Sequence, residues 1–272
     1  MKKKYKAKSK RSKDIIKSRD KNQRNILDKY PLILFSFKAL ITAILLVLIL
    51  ISLFRKINPP VTSFMIFKNW EVNNENSSKR KKNYYNWCDF EYISPHMSLA
   101  VISSEDQKFA VHRGFDFESI AMAMEYNRTN NRKRGASTLS QQVVKNLFLW
   151  PGRSYIRKGF EVVLTALIES LWSKKRILEM YLNIVEFGEG IYGVGAASEQ
   201  FFKKPPSQLT IQEAALLCAV LPNPILYCVK NPSDAVTKRQ KWIVEQYHNL
   251  KSDRKIREIV FPKKNDSIII FL

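Results

Sequence analysis

The chain has 272 residues, with 46 Lys+Arg against 24 Asp+Glu, a formal net charge of +22. With 45% hydrophobic and 26% charged residues, it has enough apolar side chain to bury a core, which excludes global disorder, and its length fits one sizeable domain with attachments. A balance this basic points to nucleic acid or to an anionic membrane surface, and the position of the charge decides between them.

Residues 1–30 hold 13 Lys/Arg and 3 Asp/Glu, net +10, while residues 55–272 hold 32 and 21, net +11. Between them runs Pro31 to Phe54, in which Lys38 is the single charge. Leu32–Phe54 as a helix is ~34 Å long, enough to cross a ~30 Å hydrocarbon core with some tilt. Lys38 lies near the basic end, where its stem can snorkel to the headgroups. A cleaved signal peptide would carry a shorter apolar run of about 7–15 residues and a small-residue cleavage site. Phe54-Arg-Lys-Ile-Asn-Pro-Pro60 offers no such site, so the segment reads as an uncleaved anchor. The Lys/Arg excess before it places the N-terminus in the cytoplasm and residues 55–272 on the outer face. The basic tail then lies on anionic lipid, and no nucleic-acid partner is needed.

Beyond the anchor, Pro59-Pro60 stops the helix, Val61–Trp70 reads as a short extended stretch, and residues 71–86 as a polar Lys- and Asn-rich loop. Helix signals then repeat. Ser94-Pro95 is an N-cap with proline at the first helical position. Asp116 caps Phe117–Tyr126, Ser137 or Thr138 opens a helix to about Leu149, and Pro151-Gly152 breaks the chain before a long helix of about Ser154–Trp172. Another runs from Ser173 to about Phe187. Thr210-Ile-Gln-Glu213 is a capping box, and Asn231-Pro232 caps a last helix. Strand alternation is scarce, so the fold class is mainly α. Cys88, Cys218 and Cys228 are too few for a zinc site or a disulfide framework, and Cys218 reads as a small buried hydrophobe. The apolar end, Asp266–Leu272, suits a docked strand or a membrane contact.

Four segments carry chemically useful side chains. In Glu105-Asp-Gln-Lys-Phe-Ala-Val-His112-Arg-Gly114-Phe-Asp116, two carboxylates follow the apolar stretch Leu99–Ile102. A carboxylate at such a helix end is partly desolvated, which lifts its pKa toward that of a general base. His112 alone reads as a hydrogen-bonded loop residue and Asp116 as a helix cap. In Gly135-Ala-Ser-Thr138-Leu-Ser-Gln141-Gln142-Val-Val-Lys145-Asn146, Gln141, Lys145 and Gln142 fall at about −60°, −20° and +40° from Thr138. That arc holds amides, a hydroxyl and one lysine, groups suited to sugar or phosphate, although an ordinary amphipathic helix has the same period. In Arg157-Lys158-Gly-Phe-Glu161, Arg157 and Glu161 are one turn apart, as in a helical salt bridge, and the carboxylate stands beside cations. Half of the chain's eight glycines fall between Gly188 and Gly195, which marks a turn approached closely by something, without a dinucleotide or P-loop fingerprint.

In this order the segments resemble the peptidoglycan glycosyltransferases in their monofunctional, membrane-anchored form. The resemblance runs from about Ser94 to Pro224. It rests on Glu105-Asp-x-x-Phe109-x-x-His112-x-Gly114-x-Asp116, Gly135-x-Ser137-Thr138-x-x-x-Gln142-x-x-Lys145-Asn146, Arg157-Lys-x-x-Glu161, Ile177-Leu-Glu-x-Tyr181-Leu-Asn183 and Ala214-Ala-Leu-Leu-Cys-Ala-Val-Leu-Pro-Asn-Pro224. Ala136 stands where a second glycine is common. The resemblance implies a lysozyme-like helical head with a smaller membrane-facing jaw, preceded by one N-terminal transmembrane helix. The chain then divides into a basic cytoplasmic tail (1–30), the anchor (31–54), a linker and lead-in segment (55–93), a glycosyltransferase domain (94–250) and a C-terminal tail (251–272).

The resemblance also implies the reaction. The 4-hydroxyl of an acceptor lipid II attacks the anomeric carbon of a growing glycan chain on undecaprenyl pyrophosphate, with inversion. Carried over by position, Glu105 is the general base. Glu161, with Lys145, Arg157 and Lys158, stabilises the departing pyrophosphate, directly or through a divalent metal such as Mg or Mn. Asp106, Thr138, Gln142 and Asn146 position donor and acceptor. Lipid II, the growing chain, anionic membrane lipid and other cell-wall synthesis proteins are the implied partners, and the bacterial inner membrane the implied location. Ser78-x-x-Lys81 and Ser252-x-x-Lys255 occur without a Lys-Thr-Gly or Lys-Ser-Gly, so no cross-linking activity is expected. Two other readings share some of these features: a membrane-anchored lytic enzyme of lysozyme-like fold, and a basic membrane-tethered scaffold. The cations around the second carboxylate favour synthesis over lysis, because they suit a pyrophosphate-bearing donor.

Overall fold

A computed structural model describes residues 30–74, 83–130, 134–152 and 154–261. The basic tail, most of the Lys- and Asn-rich loop and the apolar C-terminal end lie outside the described residues. The chain divides into two units, residues 1–54 and 55–272. In the first, helix α1 (Pro31–Phe54) is long and apolar enough to cross a membrane, and most of its apolar side chains are exposed.

The second unit is mainly helical. Val61–Trp70 is not extended: helix α2 (Ser63–Asn74) occupies it. Its β-branched and aromatic residues suggested a strand, but the Thr62 hydroxyl accepts from Met65 N at 3.2 Å, and Ser63 Oγ donates to the Leu147 carbonyl at 2.9 Å. Capping and tertiary contact override local propensity here. The short strand β1 (Tyr84–Tyr85) follows. Then come α3 (Pro95–Glu105), α4 (Phe117–Thr129), α5 (Leu139–Phe148), α6 (Tyr155–Leu171) and α7 (Lys174–Ile184). The caps are those expected: Ser94 accepts from His96 N, Asp116 from Ser119 N, and Thr138 from Gln141 N.

The helix after Ser173 stops at Ile184 rather than Phe187. The next residues turn into β2 (Glu186–Gly188), which pairs antiparallel with β3 (Ile191–Tyr192), and β1 joins β3 in parallel. The close approach signalled by the glycines is internal packing. Gly193 has φ +78° at the start of α8 (Gly193–Phe202), and a Cβ there would sit 2.3 Å from the Asn183 carbonyl oxygen. Asn183 also holds the lead-in segment, accepting from Cys88 N at 2.8 Å and donating to Cys88 O at 2.9 Å.

The capping box Thr210–Glu213 opens α9 (Ile211–Val220) as expected. Ser233, not Asn231-Pro232, is the N-cap of α10 (Asp234–Leu250), and that helix is not the last. A further short helix α11 (Arg254–Val260), capped by Asp253, buries Ile256 and Val260. Helix α9 packs between α3 and α10. The core around it includes Met97, Leu99, Ile102, Phe109, Leu139, Tyr181 and Cys218, all with no exposed surface. All three cysteines are free thiols. The first turns of α6 behave differently: Tyr155, Ile156, Phe160 and Val163 are exposed, Tyr155 almost completely.

Candidate active site

Helix α3 ends on Glu105 because Asp106 leaves the helical conformation and ties the chain elsewhere. Both Asp106 carboxylate oxygens accept from His112 Nε2, at 2.8 and 3.0 Å, and one also accepts from Leu139 N at 2.9 Å. Nδ1 of His112 accepts from Gly114 N at 3.1 Å, so the proton is on Nε2 and the ring is a strut between loop and carboxylate. Thr138 completes the arrangement by donating to the Gly114 carbonyl at 2.7 Å. Gly114 has φ +87°, and a Cβ there would meet Thr165 Cγ2 at 2.8 Å. Asp106 and Thr138 therefore line the cleft but are buried, with their side chains engaged in locking the N-terminus of α5 to the end of α3.

Glu105 projects past this lock into a cleft of about 690 Å³. Its two oxygens have different partners. Oε2 accepts from Gln142 Nε2 at 3.1 Å, and Oε1 from an Arg239 terminal nitrogen at 3.2 Å. The Gln142 amide cannot rotate freely, because the buried Tyr181 hydroxyl donates to its Oε1 at 3.3 Å. Burial raises the Glu105 pKa above the usual carboxylate range, while Gln142 and Arg239 pull it back down. Burial also holds the Tyr181 pKa well above that of an ordinary tyrosine, so the hydroxyl stays a donor.

The second carboxylate is arranged otherwise. Glu161 is 3% exposed, on the α6 face opposite the exposed apolar one. Arg157 donates to its Oε2 at 3.2 Å, and Lys158 pairs with Oε1. The salt-bridge reading of this segment thus holds locally, with two cations on one carboxylate. Arg157 Nε is buried with no hydrogen-bond partner among the described residues. Lys145, on α5, feels both carboxylates: burial lowers its pKa, and the fields of Glu161 and, more weakly, Glu105 raise it. Asn146 beside it is buried.

The wheel of α5 placed Gln141 with Gln142 and Lys145, but Gln141 is buried and its Oε1 accepts from Thr138 N at 3.0 Å, closing a capping box. Arg239 was not anticipated at all. It lies 134 residues after Glu105, outside every motif, and the only sequence signal was a basic residue on a helix with an apolar stripe. Among the described residues no group of three or more His, Cys, Asp or Glu side chains is placed to hold a metal ion.

Comparison with known proteins gives a consistent result. Residues 72–248 match the family described as Transglycosylase. The chain is 59% identical over 166 residues to the biosynthetic peptidoglycan transglycosylase of Mannheimia succiniciproducens, covering 61% of this chain and 68% of that protein. It is 53% identical over 202 residues to the protein of that name in Haemophilus influenzae, covering 74% and 82%. It is 59% identical over 165 residues to that of Shigella boydii, covering 60% and 68%.

Proposed function

We infer the chemistry from one premise: the chain belongs to the transglycosylase family. It is a peptidoglycan glycosyltransferase, and its activity is the polymerisation of glycan strands from lipid II. The observation that carries the mechanism is the presence of a desolvated carboxylate, Glu105, and a separate carboxylate–cation cluster around Glu161, with Lys145 in the field of both.

Glu105 takes the proton of the acceptor 4-hydroxyl as that oxygen attacks the anomeric carbon. The bond from the anomeric carbon to the lipid pyrophosphate breaks, and the configuration inverts from α to β. A base with a raised pKa accepts the proton more readily than an ordinary carboxylate. The leaving group gathers negative charge, and Lys145 with Arg157 meets it; Glu161 holds Arg157 and Lys158 in place and prevents their mutual repulsion. Such preorganised charge opposite developing phosphate charge is the principal electrostatic contribution to a reaction of this kind. Asp106 and Thr138 act by fixing α5 relative to Glu105, and Gln142 orients the base. Asn146 positions the substrate beside Lys145. A divalent ion is not built into this mechanism, because Glu161 already has a cation on each oxygen and the residues around it do not fit a protein-held metal.

Helix α1 is the membrane anchor of the enzyme. The Lys/Arg excess of residues 1–30 supports a cytoplasmic N-terminus in the inner membrane, with the catalytic unit on the outer face. The exposed apolar side chains of α6 support contact of the jaw with acyl chains, and the basic surface supports association with anionic lipid. Purified full-length protein given labelled lipid II tests the reading. A polymer that lysozyme digests, absent with Glu105→Gln, is expected. No polymer from folded protein overturns it, and shortening of preformed glycan points to a lytic enzyme instead.

A further inference from the structure

The cleft next to Glu105 has a second wall that none of the motifs describes. It is formed by α10, where Arg239, Trp242 and Gln246 recur at spacings of three and four residues and so share one helix face. All three line the cleft together with Glu105. The adjacent stripe of the same helix, Val236, Ile243 and Tyr247, is buried and fixes α10 to the body. Trp242 is 41% exposed, so its indole is not needed for that packing. The Arg239 guanidinium connects the two walls, since one of its nitrogens lies 3.2 Å from Glu105 Oε1 and its central carbon lies 5.9 Å from the Trp242 ring centre. Gln246 reaches across the rim, its Oε1 accepting from Gln107 Nε2 at 3.4 Å, and it lines the cleft beside Trp242.

A half-exposed indole in a polar cleft, beside a general base and flanked by an amide, suits the ring of a sugar. A pyranose has an apolar face of C–H groups that covers an aromatic surface, and a rim of hydroxyls and amides that hydrogen-bonds to side-chain amides. We propose that Trp242 and Gln246 of α10 form a sugar subsite beside Glu105, in which a pyranose ring of the glycan substrate stacks on the Trp242 indole. This rests on the glycosyltransferase reading above and adds to it a binding element on the C-terminal part of the chain. The same sugar chemistry is offered by the acceptor lipid II and by the growing chain.

The test is steady-state polymerisation by the full chain in detergent. Trp242→Ala raises KM for lipid II about tenfold, the size of one lost aromatic contact, while kcat changes by less than about twofold. Trp242→Phe restores most of the loss, and neither variant shifts the melting temperature, because the buried stripe of α10 is intact. An unchanged KM in a folded Trp242→Ala protein overturns the subsite while leaving the polymerase reading in place. The source of the sugar is separated by supplying a preformed lipid-linked tetrasaccharide as donor. A defect that follows lipid II concentration assigns the ring to the acceptor, and one that follows tetrasaccharide concentration assigns it to the chain. A second measurement does not depend on turnover. In protein labelled with 5-fluorotryptophan, the resonance assigned through Trp242→Phe shifts on addition of a soluble β-1,4-linked N-acetylhexosamine tetrasaccharide. That shift supports the subsite even if no polymer forms, and its absence at saturating sugar counts against it.

Discussion

Glu105 and Glu161 are both carboxylates withdrawn from water on helices of the same unit, yet their surroundings differ in kind. Glu105 is held by a neutral amide and one partly exposed arginine, and burial leaves its ionised form under-compensated. Glu161 has a cation on each oxygen. A carboxylate of the first kind binds a proton more readily than an ordinary one. One of the second kind serves as the counter-charge that keeps cations in place. The contrast supports the proposal that Glu105 transfers the proton and that the Glu161 cluster supplies phosphate-directed electrostatics, and it is open to four mutational tests.

The largest effect is expected from Glu105→Gln. The amide keeps the shape and the contact with Gln142 but cannot accept a proton, so turnover falls about 10³-fold. The melting temperature does not fall, because a poorly compensated buried charge has been removed. A matched loss of turnover and of stability would show that Glu105 is a structural ion, and the contrast would collapse.

Glu161→Gln should reverse that pattern. Turnover falls about 10²-fold as Arg157 loses its alignment. Stability also falls, by about 2 kcal/mol, because Arg157 and Lys158 are left facing each other without a counter-charge. The figure lies below that for a fully buried pair because Lys158 is half exposed. Differential scanning calorimetry of the two glutamine variants, run side by side, gives the sign directly.

Arg239 probes the Glu105 side alone. Arg239→Ala removes a cation that favours the ionised carboxylate, so the pKa of Glu105 rises further. Activity that needs the ionised base then appears only at higher pH: the acid limb of the kcat/KM profile moves upward, the loss is about tenfold below neutrality, and it shrinks as pH increases. Arg239→Lys returns the limb most of the way, since the positive charge is kept. A pH-independent loss in both variants would mean that Arg239 only packs α10.

How much of this was legible beforehand follows from the range of each interaction. Thr138, Asp116 and Thr210 cap helices through contacts three residues away, and composition and spacing reveal such contacts. Glu105 and Glu161 were visible because their segments carry chemistry-bearing residues close together in the chain. Helix α2 was misread because its capping bond and its seat against Leu147 decide its conformation more than its Val, Phe and Ile content does. Gln141 pointed the right way on a helical wheel, but a wheel does not show that the first turn of a helix bends side chains back to its own backbone. Arg239 was out of reach because the fold, not the local sequence, brings it to Glu105.

The smallest expected effect, from Tyr181→Phe, tests how finely the Glu105 side is set. The Tyr181 hydroxyl is the donor that keeps the Gln142 carbonyl turned away from Glu105. Without it the amide can flip and present an oxygen to the carboxylate, which removes one hydrogen bond and adds a repulsion. A neutral hydrogen bond contributes about 1 kcal/mol, so turnover falls about fivefold and the acid limb of the pH profile rises slightly, in the same direction as for Arg239→Ala. The double variant Tyr181→Phe/Gln142→Leu should be no worse than Gln142→Leu alone, because the tyrosine acts only through the amide. An additive loss in the double variant would mean that Tyr181 touches the substrate itself.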